Sequence, residues 1–188
     1  MARFTNQAQL RYGNAVTNSN IAVGEILEVL SATKTAVRNT YGQSDTVTYI
    51  VSIVNSGTTP ITGISVTDNL GEYTFGTTTL VPLTYIDGTV KYYVNGVLQP
   101  SAVVTAGPPL VVSGITVPAG GSVTVVYEAA VNEFAPLDTT SVINNTAIVA
   151  GTGITPITAE EEITVESTPV LTITKSVSPV PVTENGTL

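Results

Sequence analysis

Three residues of this chain belong to types that can react with one another. Lys34 lies in SATKTAV (31–37), Asp68 in ITGISVTDNL (61–70) and Asn145 in SVINNTAIV (141–149). An amine, a carboxamide and a carboxyl group that ferries protons suffice to make an amide cross-link and expel ammonia. Alternate residues of a strand share one face. Lys34 therefore goes with Leu30, Ala32 and Ala36; Asp68 with Ile64, Val66 and Leu70; Asn145 with Ile143, Ala147 and Val149. Each polar group interrupts an apolar face.

Burial of such groups favours their neutral forms: the lysine loses its proton and the aspartate gains one. A neutral Lys34 amine is a nucleophile for the Asn145 carboxamide carbon. A protonated Asp68 bonded to that amide would polarise it and shuttle protons as ammonia leaves. Packing would replace an enzyme's binding energy as the source of proximity. The product is an intramolecular Lys34–Asn145 isopeptide bond, made once per molecule. Each residue alone has an ordinary reading as well: a lysine whose head reaches water, an asparagine at a bulge, an aspartate capping a turn. Asn144, on the opposite face with Val142 and Thr146, is the competing carboxamide.

The elements that must position this trio follow from composition. The 188 residues are 43% hydrophobic and 11% charged, with net charge −8. Thr, Val, Gly and Pro dominate and no amphipathic helix stands out, so the chain reads as all-β. Six scattered Lys and Arg offer no basic stripe for nucleic acid, and no apolar run is long enough for a transmembrane segment. With neither Cys nor His, disulfides, the usual zinc sites and Ser–His or Cys–His hydrolysis are excluded. No metal or other cofactor is expected, nor an enzyme that turns over an external substrate. The opening MARFTNQAQL lacks the blocks of a secretory signal.

Turn signals delimit strands at 45–54, 61–70, 117–131 and 141–151, and a hairpin over 88–99 about the pair Asn95-Gly96. This spacing predicts an immunoglobulin-like β-sandwich, with a barrel as the alternative. The chain also carries a partial copy of itself. Residues 6–37 resemble 145–177, so that Asn6 corresponds to Asn145 and Lys34 to Lys175. The division that follows is an N-terminal hairpin from a partial repeat (1–28), one complete repeat (29–166) and the first strand of a further repeat or a linker (167–188).

The ordered segments ATKTAV, DTVTYIVSIVNSGTTPITGISVTDNL, VPAGGSVTVVYEAAV and INNTA resemble the bacterial conserved repeat domain family, domain of unknown function eleven. The resemblance spans most of the complete repeat. It implies an immunoglobulin-like sandwich repeated along surface or secreted proteins, with structural or adhesive roles, and a relation to adhesin and pilin domains that cross-link themselves.

The expected function is thus a structural repeat of a bacterial cell-surface, spore-surface or filament protein. Its expected partners are itself or neighbouring repeats, joined head to tail by strand complementation through the segments carrying Asn6 and Lys175. The competing arrangement has the hairpin packed on its own repeat. The other function considered is an adhesin or carbohydrate-binding module, its host or glycan ligand held by loops 71–88 or 100–116 with Tyr85, Tyr92 and Tyr93 nearby. The acidic AEEEI (159–163) splits its carboxylates between two faces and reads as a solvated strand.

Overall fold

The computed structural model describes residues 2–26, 28–100, 102–166 and 175, and among them every regular element is a strand. An N-terminal arm holds β1 (Ala2–Asn6), β2 (Gln9–Tyr12), β3 (Ala15–Asn18) and β4 (Ala22–Ile26). The remainder holds β5 (Leu30–Ala36), β6 (Thr40–Tyr41), β7 (Thr46–Asn55), β8 (Ile61–Asp68), β9 (Tyr73–Phe75), β10 (Thr78–Leu80) and β11 (Leu83–Tyr85). It continues with β12 (Lys91–Val94), β13 (Val97–Leu98), β14 (Val103–Thr105), β15 (Leu110–Val117), β16 (Ser122–Val131), β17 (Val142–Ala150) and β18 (Ile157–Val165).

Two six-stranded sheets form an immunoglobulin-like β-sandwich, not a closed barrel. One runs β13-β12-β16-β7-β5, with β11 also on β16; the other runs β14-β15-β8-β17-β18-β6. Period-two alternation builds the interior. Val47, Tyr49, Val51 and Ile53 of β7 and Val123, Val125, Tyr127 and Ala129 of β16 line one inner face. Ile64 and Val66 of β8, Ile143, Ala147 and Val149 of β17 and Ile163 of β18 line the other. At roughly 1.5–3 kcal/mol per fully buried aliphatic side chain, this core can hold a few polar groups at a cost.

The sequence-based strands coincide with β7, β8, β12–β13, β16 and β17. The stretches read as loops at 71–88 and 100–116 in fact carry β9, β10, β11, β14 and all of β15 but its last residue. Most of these are three-residue strands, too short to show a period. In β15 the register shifts between Val112 and Ile115, where Gly114 adopts φ +78°. That bulge moves the buried positions from Leu110 and Val112 to Ile115 and Val117 and breaks the alternation.

The N-terminal arm is a single long hairpin: β1 pairs β4 and β2 pairs β3, turning at Gly13–Asn14. All side chains from Phe4 to Val23 are exposed, so the arm does not pack on the sandwich. Asn6 pairs with Ala22 on this arm, Lys175 is exposed, and the rest of 167–188 lies outside the described residues.

Candidate functional site

Four polar side chains are buried among the described residues: Lys34, Asn55, Asp68 and Asn145. Asn55 has a structural task. Its amide donates to Thr59 O at 2.8 Å and Pro118 O at 3.0 Å, and its oxygen accepts from Gly57 N–H at 2.9 Å, tying a turn together. The other three converge from β5, β8 and β17.

Lys34 is the inward residue of an edge strand, flanked by half-buried Ala32 and Ala36. Its Nζ donates to Asp68 Oδ2 at 2.5 Å and stands 4.9 Å from the centre of the Tyr49 ring. Asp68 ends β8, opposite Leu110 on one neighbour and Ala147 on the other. Its Oδ1 accepts the Leu70 N–H at 3.0 Å, and its Oδ2 also accepts the Tyr127 hydroxyl at 2.5 Å. Asn145 lies in the middle of β17, with its carbonyl oxygen accepting Gly71 N–H at 3.1 Å and its amide donating to Tyr127 Oη at 3.3 Å. An N–H can only donate, so Gly71 dictates which end of the carboxamide is oxygen. Asn144, the competing carboxamide, points to solvent.

The direct Asp68–amide hydrogen bond expected from sequence is therefore replaced by a path through Tyr127. That hydroxyl gives its one proton to the carboxylate and takes a hydrogen bond from the amide. Tyr127 in turn stacks on Tyr49, ring centres 5.6 Å apart at 23°. The Tyr49 hydroxyl is buried with no hydrogen-bond partner among the described residues, although Asn145 and Asp68 are close enough to influence it.

Burial pushes the Lys34 amine from its ordinary 10.5 down to about 8, against the opposing pull of Asp68 and, more weakly, Glu161. About one Lys34 in ten is then neutral at pH 7, which makes it a usable nucleophile. Burial, reinforced by the charge of Asp68, raises Tyr127 well above the usual phenol value, so it stays a proton-bearing donor. Glu161, cross-strand from Asn145, is the half-buried member of the acidic run; Glu160 and Glu162 point outward.

Tyr127, Gly71 and Tyr49 are the parts that sequence reasoning missed. The alternation in VTVVYEAAV and TVTYIVSIV puts both tyrosines inward, and a phenol in a row of Val and Ala is a usable signal. Gly71 gives no such signal. Its role arises from the turn 68–72, where Leu70 and Gly71 have φ +55° and +74° and aim the Gly71 N–H at β17.

No protein-family profile matches this sequence, the conserved repeat family included, and no curated protein resembles it in sequence. Similarity appears in the fold. A variant of BcpA, the major pilin subunit of Bacillus cereus, superimposes with TM-score 0.51 at 10% identity, over 86% of this chain and 47% of the pilin. The full-length major pilin SpaD of Corynebacterium diphtheriae gives 0.51 at 15% identity, over 70% and 33%. The pilus backbone protein RrgB of Streptococcus pneumoniae gives 0.50 at 14%, over 64% and 31%. The chain thus spans less than half the length of the pilins it matches. Among the described residues no helix is long and apolar enough to cross a membrane.

Proposed function

We propose that this chain is a structural module of a bacterial surface or filament protein, stapled by an isopeptide bond between Lys34 and Asn145. The observation that carries the reading is the buried chain of contacts Lys34–Asp68–Tyr127–Asn145, closed by Gly71 on the carbonyl. A buried core with four linked polar side chains is costly to keep for stability alone, and these are the groups the cross-link consumes or uses.

The reaction balances within the site. Neutral Lys34 Nζ attacks Asn145 Cγ, and the carbonyl electron pair moves onto Oδ1, where the Gly71 N–H stabilises the developing charge. The amine passes one proton to Asp68. Tyr127 gives its proton to Nδ2 and recovers one from Asp68. The Cγ–Nδ2 bond breaks and ammonia departs, leaving Asp68 and Tyr127 as they began. The test is intact mass and peptide mapping of the folded protein. Loss of one ammonia and a linked Lys34–Asn145 peptide pair are expected, and an unchanged mass would overturn the reading.

On this reading the complete repeat is 29–166, the hairpin 1–28 and the segment 167–188 come from flanking repeats, and copies join head to tail. The fold shared with pilin subunits supports a place at a cell surface. A second reading, an adhesin or glycan-binding module, is favoured by one feature: an open groove of about 590 Å³ between Leu80, Tyr85, Gly107, Pro108 and Phe134. Glycan binding lost on Tyr85→Ala would support it, and a blank glycan array would remove it.

A further inference from the structure

The β1–β4 part of the N-terminal arm is built on the plan of β17–β18; the β2–β3 part is shifted by one residue, Leu10 pairing with Thr17 where Val149 pairs with Ile157. Asn6 pairs with Ala22 and Asn145 pairs with Glu161, each with a partner 16 residues further on (22 − 6 and 161 − 145). A constant offset of 139 carries Phe4, Asn6, Ala8 and Leu10 onto Ile143, Asn145, Ala147 and Val149. Even the cross-strand pair is kept: Ile143 faces Ile163 in the sandwich, and Phe4 faces Gly24 in the arm, its ring lying over the glycine. The burial is opposite. Ile143 and Val149 are 2% and 0% exposed, while Phe4 and Leu10 are 56% and 68% exposed. A face with the pattern of a sandwich interior lies open.

In the complete repeat, β5 packs beside β18, presenting Leu30, Ala32, Lys34 and Ala36 inward. Residues 171–177 repeat that inward pattern as Leu171, Ile173, Lys175 and Val177. The chain leaves the sandwich from opposite ends. The arm joins β5 at Leu30, beside the β17–β18 turn at 152–157, whereas Val165 pairs with Tyr41 at the far end of β18. Eight residue steps along a strand put these exits about 25 Å apart.

We propose that the open Phe4–Leu10 face of one copy receives residues 167–188 of a second copy, with Leu171, Ile173 and Val177 on the arm as β5 lies on β18. The contact is heterologous and propagates head to tail. It is non-covalent, because neither segment carries an aspartate to act as Asp68 does. The proposal rests on the reading of the chain as an assembling module, but not on the Lys34–Asn145 bond, which mass measurement reports separately.

The test is sedimentation velocity of the 188-residue protein over a concentration series, with L10D, I173D and their equimolar mixture. Wild type should grow from monomer to multimers, and each variant should remain monomeric with the thermal unfolding of wild type. The mixture should stop at dimers, since an intact tail meets an intact arm only once. A wild type that stays monomeric, variants that assemble like wild type, or a mixture that fails to dimerise would each overturn the proposal. A ladder that survives SDS would overturn its non-covalent form.

Discussion

The Tyr127 hydroxyl lies between Asp68 and Asn145, donating to the carboxylate at 2.5 Å and accepting from the carboxamide at 3.3 Å. In the proposed reaction that position makes it the conduit for the proton that converts a poor leaving group into ammonia. Tyr127→Phe keeps the ring and its stacking on Tyr49 but removes the conduit. Cross-linking, followed as loss of ammonia by mass over time, should slow on the order of 10²-fold, as for loss of a positioned acid. An unchanged rate would leave Asp68 acting directly.

The lowered Lys34 value sets a pH dependence. In the slow Tyr127→Phe variant the cross-linking rate should climb roughly tenfold per pH unit up to about 8 and then level off, as the neutral amine saturates. Equilibrium stability follows the same titration in Asn145→Ala, where the amine cannot be consumed. Between about 8 and 10.5 the unfolded chain binds a proton at Lys34 that the folded chain does not. Stability therefore rises with pH through that window and is lost as pH falls towards 8. The raised phenols of Tyr49 and Tyr127 act oppositely above the ordinary tyrosine value of 10.0. The net gain, on the order of 2 kcal/mol, should therefore appear between pH 8 and 10 in denaturant titrations.

Removing Asp68 leaves a buried amine without its counter-charge. Asp68→Ala should abolish the cross-link and lower stability by about 3–5 kcal/mol, the usual effect of stranding one partner of a buried ion pair. Lys34→Met/Asp68→Leu removes both charges together and should recover most of that loss while remaining uncross-linked. Thermal unfolding of the two variants side by side separates the missing bond from the stranded charge. Equal stabilities would show that desolvation is not the dominant cost.

Much of this was readable before the structure, for a physical reason. Lys34, Asp68 and Asn145 sit on strands where every second residue on their own face is apolar, so their inward orientation follows from parity. The sandwich is legible for the same reason in β7, β16 and β17. What parity cannot supply is which groups meet across the core. Tyr127 faces inward by alternation, but its contact with both Asp68 and Asn145 depends on the offset between two sheets. Gly71 acts through a backbone N–H aimed by a turn. β15 hides its pattern behind the Gly114 bulge. The open arm was misleading in another way: its Asn6 face has the composition of a core, yet burial depends on a neighbour that an isolated pattern does not reveal.

Tyr49 carries the buried hydroxyl without a partner among the described residues. An unsatisfied polar atom gains nothing from being there. Tyr49→Phe keeps the ring under Lys34 and against Tyr127, so stability should stay within about 0.5 kcal/mol of wild type or rise, with cross-linking complete. A loss of several kcal/mol in a chemical denaturation curve would mean that the hydroxyl is bonded after all.

Gly71 combines two demands that can be pulled apart with a matched control. Its φ of +74° penalises any side chain, and a Cβ there would meet Ile143 Cγ2 at 2.6 Å. Gly63 has nearly the same φ, +70°, but open space around the Cβ position. Both Gly→Ala substitutions incur the left-handed backbone penalty of about 1–2 kcal/mol, and Gly71→Ala adds the clash. Only Gly71→Ala displaces the N–H that faces the Asn145 carbonyl. Cross-linking should therefore slow by on the order of 10²-fold in Gly71→Ala, as when one oxyanion donor is lost, and proceed at the wild-type rate in Gly63→Ala. If the two variants lose ammonia at the same rate, Gly71 serves the turn and not the reaction.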